Sequence, residues 1–268
     1  MASAKDLHVA PISVQDARRF VREHHYSGKV DPRSQLHLGA FLDGRLVGVA
    51  QFGPPIARHK VIGLVRGTPW NSMFELNRLV LIDDTPRNSE SRFLAMSIRL
   101  IKIHAPHIQW VLSYADGTQC GDGTIYRASG FVLTAIKKNM SMYRMPDGEV
   151  QAKIVFEPGF SVRRGGVDNG VKARYGKTGG GKTGSFLKEI GAERLAGFML
   201  RYIYFIDPTA RARLTVPEVP FSDIVRLGAG MYLGQPRAGS IAVDASPDQG
   251  EEGGASPTPA LHTEARKA

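Results

Sequence analysis

The sequence predicts a mixed α/β protein with one central sheet flanked by helices, and three observations carry that prediction. Strand and helix patterns follow one another as β-α-β-β-β-α-β-α-β-β over the first 158 residues. Short apolar runs meet at Asp43-Gly44 and again at Asp147-Gly148, the dipeptide that closes tight hairpins. The composition, 42% hydrophobic and 22% charged over 268 residues, is that of a chain able to bury a sizeable core.

Each element has its own signal. "DLHVAPIS" reads as a short first strand. Ser13 forms a capping box with Asp16 and opens a helix over "VQDARRFVREHHY", where Val14, Ala17, Phe20 and Val21 make an apolar stripe that Gly28 ends. "QLHLGAFLDGRLVGVAQFGPP" is a hairpin stopped by Pro54-Pro55. Residues 56–73 are irregular, and "MFELNRLVLID" is a central strand by composition. A helix over residues 89–106 turns Phe93, Leu94, Ile98 and Ile101 to a core, and "QWVLSYAD" is another strand. "GDGTIYRASGF" is a short helix closed by Gly130. "FVLTAIKKNMSMYRM" and "EVQAKIVF" then pair as a second hairpin.

Beyond residue 158 the composition changes. A basic, Gly-rich connector spans 159–184, and 185–234 forms a C-terminal elaboration packing on the core. In it "SFLKEIGAERLAGFML" reads as a helix, "RYIYFID" as a strand and "DPTARARL" as a short helix. Residues 235–268, rich in Gly, Pro, Ser, Ala and acids, read as a disordered tail.

A net charge of +10 and a pI near 9.8 favour a polyanionic partner, most simply nucleic acid. No amphipathic basic helix with bulky apolar anchors favours a membrane surface instead. With one cysteine, Cys120, no intramolecular disulfide and no four-cysteine zinc site can form, which fits a reducing cytosol. "MASAKDLHVAPIS" lacks the apolar core of a secretion signal, and no stretch approaches eighteen uninterrupted apolar residues, so neither secretion nor a membrane span is expected.

One motif argues for a different function. Gly176, Gly181, Lys182 and Thr183 satisfy the phosphate-loop pattern letter for letter. That loop works only between a buried strand and a helix, and the segment before it, "VRRGGVDNGVKARY", is basic and rich in Gly. The stretch is therefore read as a charged connector.

"ELNRLVLIDDTPRNSESRFL", "SYADGTQCGDGTIYRASGFVLT", "HHYSG" and "RYIYFIDPTARARLTVPEVPFS" are long and compositionally unusual. Together they resemble the Mom family of phage DNA modification proteins, relatives of the GNAT N-acyltransferases, from about residue 20 to about residue 225. The resemblance implies a GNAT-like catalytic domain over 1–158. It also implies conversion of adenine to N6-carbamoylmethyl-adenine in double-stranded DNA, shielding phage DNA from restriction. Such a protein is phage- or prophage-encoded and works in the cytoplasm of the bacterial host; a homodimer stays open.

The target atom then sets the demands. Adenine N6 is a poor nucleophile, because its lone pair is delocalised into the ring, and it is paired inside the duplex. The enzyme must extrude the base, hold it by stacking and edge hydrogen bonds, and polarise N6–H. Asp116, ending its strand, is a candidate base or N6–H acceptor, with an Asx-turn as the plain alternative. Tyr26 is a candidate stacking ring and His25 a proton shuttle near neutral pH; in the plain alternative, His25 favours the helix dipole. Each of these matches a family position with a functional role. Together with a carboxylate, His25 and Tyr26 could also hold iron.

Arg78, a charge inside an apolar strand, must pair with Glu75 or face a cavity; the resemblance makes it a group that orients a donor carbonyl or phosphate. Ser89 and Ser91 lie where a helix N-terminus would receive the donor's phosphates, with Ser89 as the capping alternative. Tyr126 corresponds to the GNAT tyrosine, a general acid for the leaving group. Cys120 is read as small and structural. The donor is acetyl-CoA or an activated glycine derivative. Arg163, Arg164, Lys172, Arg174, Lys177 and Lys182 are expected to lie on the DNA backbone. Two other functions stay open: an acetyl-CoA-dependent N-acetyltransferase on a small molecule or protein, and a non-catalytic DNA-binding protein.

Overall fold

A computed structural model describes residues 3–157, 171–176, 182–232 and 234–237. Its centre is a seven-stranded sheet in the order β1-β2-β3-β4-β5-β10-β6. The strands are β1 (His8–Pro11), β2 (Leu36–Leu42), β3 (Arg45–Gly53), β4 (Met73–Leu81), β5 (Trp110–Asp116), β6 (Val132–Lys138) and β10 (Phe198–Phe205). Every neighbouring pair is antiparallel except β4 and β5, which run parallel. The mixed α/β class expected from the sequence is therefore the one the chain adopts.

Two helices cover the two faces. In α1 (Val14–His24) Ser13 accepts the Asp16 N–H at 3.0 Å, and its hydroxyl donates to the Asp16 carboxylate at 2.7 Å. Ala17, Phe20 and Val21 of α1 pack on Val49 and Val80. The stretch between β3 and β4 holds only short turns, α2 (Arg58–Val61) among them. In α3 (Ser89–His104) Phe93, Leu94, Ile98 and Ile101 join Val47, Ala50 and Phe52 in the larger core. Val49 and Ala50 are consecutive on β3, so α1 and α3 lie on opposite sides of the sheet. Each fully buried Leu, Ile or Phe side chain stabilises the fold by about 1.5–3 kcal/mol, and this double cover holds the sheet together. Asp43 and Gly44 both take positive φ, 51° and 74°, which gives the β2–β3 hairpin its tight turn.

Three expectations are corrected. The second hairpin forms across Asp147-Gly148 as expected but is shorter and separate from β6: the chain leaves the sheet at Asn139, whose side chain is drawn inward, and β7 (Met142–Arg144) pairs with β8 (Val150–Ala152) in a small sheet with β9 (Glu193–Arg194). The helix expected over 185–200 ends at Glu189, where Gly191 takes the left-handed conformation at φ 74°, and its last residues begin β10. That strand is inserted between β5 and β6, so it belongs to the central sheet rather than packing on it as an elaboration. Only Phe198, Met199 and Leu200, which open β10, fall within the expected helix, because a short apolar run fits a helical stripe as well as a strand; "RYIYFID" is the strand expected.

The third correction concerns the start of the tail. β11 (Met231–Tyr232) pairs with β12 (Gln235–Pro236) in a small hairpin, so residues 235–237 are built into the fold. The rest of the expected disordered tail, 238–268, lies outside the described residues. Among the described residues no helix is long and apolar enough to cross a membrane.

Candidate active site

The site begins where two strands part. β4 and β5 pair only through Met73↔Trp110, Phe74↔Val111 and Glu75↔Leu112, and then diverge. On its other edge β4 slips register against β3, so that Gln51 faces Arg78 while Phe52 faces Leu76. One extra residue on β4 is a bulge, and it breaks the period-two alternation. Glu75 and Arg78, three apart, therefore share a side. Both line a cleft of about 530 Å³ with His25, Tyr26, Asp116 and Tyr126, a size suited to a small ligand. The structure thus brings the five expected catalytic residues together from α1, β4, β5 and the helix α4 (Thr124–Ala128).

Asp116 is buried. Its Oδ1 accepts from the Thr118 N–H and from Asn139 Nδ2, each at 3.0 Å, and its Oδ2 accepts from Gln119 Nε2 at 3.2 Å. The turn expected as the plain alternative is real, and the carboxylate still lines the cleft. Oδ2 retains room for a second donor.

His25 caps α1. Its Nδ1 accepts the Ser27 N–H at 3.1 Å, which assigns the ring proton to Nε2. Burial, and after it the charge of Arg78, push its pKa down to about 3. The ring is neutral at pH 7. That corrects the expectation of a proton shuttle titrating near neutrality: what remains is a fixed Nε2–H donor.

Tyr26 is 54% exposed, yet its hydroxyl end is buried against Cys120 and Asp116. That burial, and then those two neighbours, raise the phenol pKa above its ordinary value. The result is a neutral hydroxyl turned inward and a ring left open, 4.2 Å from the His25 ring between centroids.

Arg78 donates from Nε to the Lys29 carbonyl at 2.8 Å and from a terminal nitrogen to the Asn77 carbonyl at 2.5 Å. Its guanidinium is anchored beside the cleft rather than free to swing. Burial pushes the Tyr126 phenol up to about 12, with Ser113 nearby working the other way, so it is a neutral proton donor. Burial also raises the Cys120 thiol, which stays protonated and donates to the Asp116 carbonyl at 3.1 Å, in keeping with a structural role.

Sequence reasoning missed Glu75 as a functional group and treated it only as a counter-ion for Arg78. Burial raises its pKa to about 7; Arg33, Asn77 and Arg78 pull it down and Asp31 pushes it up. A carboxyl that titrates near neutrality at the parting of the strands suits general-base work. The available signal was an acid inside the apolar strand "FELNRLVL".

The N-terminus of α3 departs from expectation. Its N-cap is Asn88 at φ 70°, not Ser89. The Ser89 hydroxyl is buried without a hydrogen-bond partner among the described residues. Ser91 lines a separate groove of about 750 Å³ with Lys5, Arg87, Arg92 and Arg99. Glu90 points instead into the cleft, which leaves the groove's cations unopposed by it.

Of the expected DNA-contacting residues, Arg163, Arg164 and Lys177 lie outside the described residues. Lys172 is in the short helix Val171–Tyr175. Arg174 is already ion-paired, 2.5 Å from Glu149 and 3.7 Å from Asp147, so its charge is largely countered. Lys182 is exposed at the N-cap of the helix Thr183–Glu189. The segment that leads into the phosphate-loop motif is helical, not a strand, so the nucleotide-loop context is absent among the described residues. Among the described residues no three His, Cys, Asp or Glu side chains gather to hold a metal, while the His-Tyr-carboxylate set that could hold iron, His25, Tyr26 and Asp116, lines one cleft.

Comparison with known proteins places this geometry. The sequence model of the Mom protein family matches residues 6–223. The methylcarbamoylase Mom of Escherichia phage Mu is 35% identical over 215 residues, covering 79% of this chain and 80% of that protein. Solved structures give weaker likenesses. The ribosomal-protein-S18-alanine N-acetyltransferase from Escherichia coli is 9% identical, covering 75% of this chain and 94% of its own, with a TM-score of 0.39. A GNAT acetyltransferase from Elizabethkingia anophelis with acetyl-CoA bound is 12% identical, covering 50% and 81%, with a TM-score of 0.32.

Proposed function

The chain belongs to the Mom protein family, and we propose that it is a transferase that modifies adenine N6 in double-stranded DNA, giving N6-carbamoylmethyl-adenine. The observation that carries this reading is the convergence of His25, Tyr26, Arg78, Asp116 and Tyr126 on one cleft, in a chain 35% identical to a methylcarbamoylase over 79% of its length.

The roles follow from the states of the groups. The extruded adenine stacks on the open Tyr26 ring. Asp116 Oδ2 accepts one N6–H, and the His25 Nε2–H donates to the ring edge or to the donor carbonyl. As N6 bonds to the donor carbon, its proton passes to Glu75, which is about half ionised at pH 7. Arg78 holds the donor carbonyl or phosphate, and the neutral Tyr126 phenol returns a proton to the leaving group. One N–H bond is exchanged for one N–C bond, and the leaving group departs protonated.

The donor is an activated acyl compound carrying negative charge, received by the groove of Lys5, Arg87, Arg92 and Arg99 at the α3 N-terminus. A glycyl and a carbamoylmethyl group contain the same atoms, so transfer from an activated glycine followed by rearrangement gives the product. Label from glycine absent from the modified base would dispose of the glycyl donor.

The test is direct. The protein is expressed in bacteria, plasmid DNA is digested to nucleosides, and mass spectrometry seeks carbamoylmethyl-deoxyadenosine, with Asp116→Asn as control. A peak lost in the mutant supports the reading. Unmodified DNA from folded wild-type protein overturns it.

A further inference from the structure

The hairpin β11–β12 lies beyond residue 223, where the match to the family ends, yet it is fastened to the loop that follows Asp116. Gly121 forms a β-bridge with Tyr232, and the Gly234 N–H donates to the Gly117 carbonyl at 3.0 Å. Met231 is buried beneath, and a Cβ at Gly117 would meet the Met231 side chain at 3.2 Å, so the close approach depends on glycine. This fastening leaves Tyr232 56% exposed and brings both Tyr232 and Arg237 into the lining of the cleft.

Arg237 is held there by a buried acid. Its guanidinium lies 3.4 Å from Asp122 Oδ1 and 3.1 Å from Thr124 Oγ1, and it sits over the Tyr232 ring at 5.8 Å from the centroid. Arg127 also reaches Asp122, at 3.3 Å. Two arginines share one carboxylate, so the node keeps a positive charge at the cleft wall. A large aromatic has no packing reason to remain half exposed there, and a fixed cation beside it suits a nucleotide.

We infer that Tyr232 and Arg237 form a second nucleotide-holding wall of the cleft, across from Tyr26: Tyr232 stacks on an extruded purine and Arg237 takes a phosphate beside it. This rests on the DNA-modifying reading and adds positioning residues outside the family match. The pair acts on binding, not on the chemical step.

The probe is a single-stranded oligo(dC) 12-mer carrying one 2-aminopurine, a fluorescent purine quenched on stacking. Wild type is expected to quench it. Tyr232→Leu should bind about 5- to 100-fold more weakly and, with Tyr26 alone left to stack, quench clearly less than wild type, in line with base–aromatic stacking. Tyr232→Phe should restore both. Arg237→Gln should lower the slope of log affinity against log salt by about 0.7, one single-strand phosphate contact. Quenching by Tyr232→Leu equal to wild type, or none by wild type, overturns the inference. Nucleoside mass spectrometry on plasmid DNA separates the two readings. Full modification by Tyr232→Leu sinks the wall and leaves the function standing. Tyr232-dependent quenching without modification by wild type sinks the function and leaves the wall.

Discussion

Glu75→Gln is expected to stabilise the protein in alkaline solution and not in acid. In the folded state burial raises the Glu75 pKa from 4.5 to about 7. Between those values the folded chain holds a proton that the unfolded chain has released, so stability falls as pH rises through that window. The difference of 4.5 against about 7, at 1.36 kcal/mol per pH unit, comes to about 3 kcal/mol. This stability is fully present below pH 4.5 and gone above about pH 7. Gln has the shape of the protonated acid and does not titrate, so the variant escapes the loss. Urea unfolding of both proteins at half-unit steps from pH 5 to pH 8.5 measures it. The two curves should converge at low pH and separate by up to about 3 kcal/mol at pH 8. At the same time the variant should lose modification activity, and the rise of wild-type rate through pH 7 should disappear with it. A stability gap that does not change with pH would refute the assignment of a raised pKa to Glu75, whatever the activity shows.

Other consequences follow from the same geometry. The His25 ring, with its pKa near 3, should show no titration between pH 5 and 8 by 15N NMR and should carry its proton on Nε2; a midpoint near 6.5 would contradict it. A Cβ at Gly197 would sit 2.0 Å from Thr118 Oγ1, so Gly197→Ala should destabilise the fold by about 1–3 kcal/mol in thermal unfolding and disturb the turn that holds Asp116. Replacing Arg92 and Arg99 with Gln should weaken donor binding, read as a raised KM for the donor at little-changed kcat, whereas an unchanged KM removes the groove from the donor site. Neutralising Lys177 and Lys182 should lower the salt dependence of duplex binding by about two phosphate contacts, measured by fluorescence anisotropy.

The candidate site is partly legible in the amino-acid sequence. His25, Tyr26, Arg78, Asp116 and Tyr126 stand out because their residue types meet the demands of the chemistry and because whole strings around them resemble one family. The structure brings all five to the lining of a single cleft. Glu75 escapes because its importance lies in burial, and its sequence neighbours give no measure of that. The neutral state of His25 escapes for the same reason: a histidine at a helix end looks titratable until its surroundings are known. Arg174 looks like a free cation because its acidic partners, Asp147 and Glu149, are more than twenty residues away in sequence.

What the sequence determined by itself is what local chemistry controls. Asp43-Gly44 sets the β2–β3 turn because both residues must take positive φ, and Ser13 starts α1 by accepting the free Asp16 N–H, with its own hydroxyl held by the Asp16 carboxylate. The apolar stripe of α3 likewise selects its buried face. Tertiary structure alone decided which strands pair. The insertion of β10 between β5 and β6, the pairing of β4 with β3 whose bulge sets Glu75 beside Arg78, and the seating of Tyr232 on the Asp116 loop all depend on contacts between segments distant in sequence. No local preference encodes such contacts; they form because the assembled sheet buries more apolar surface and satisfies more backbone hydrogen bonds that way.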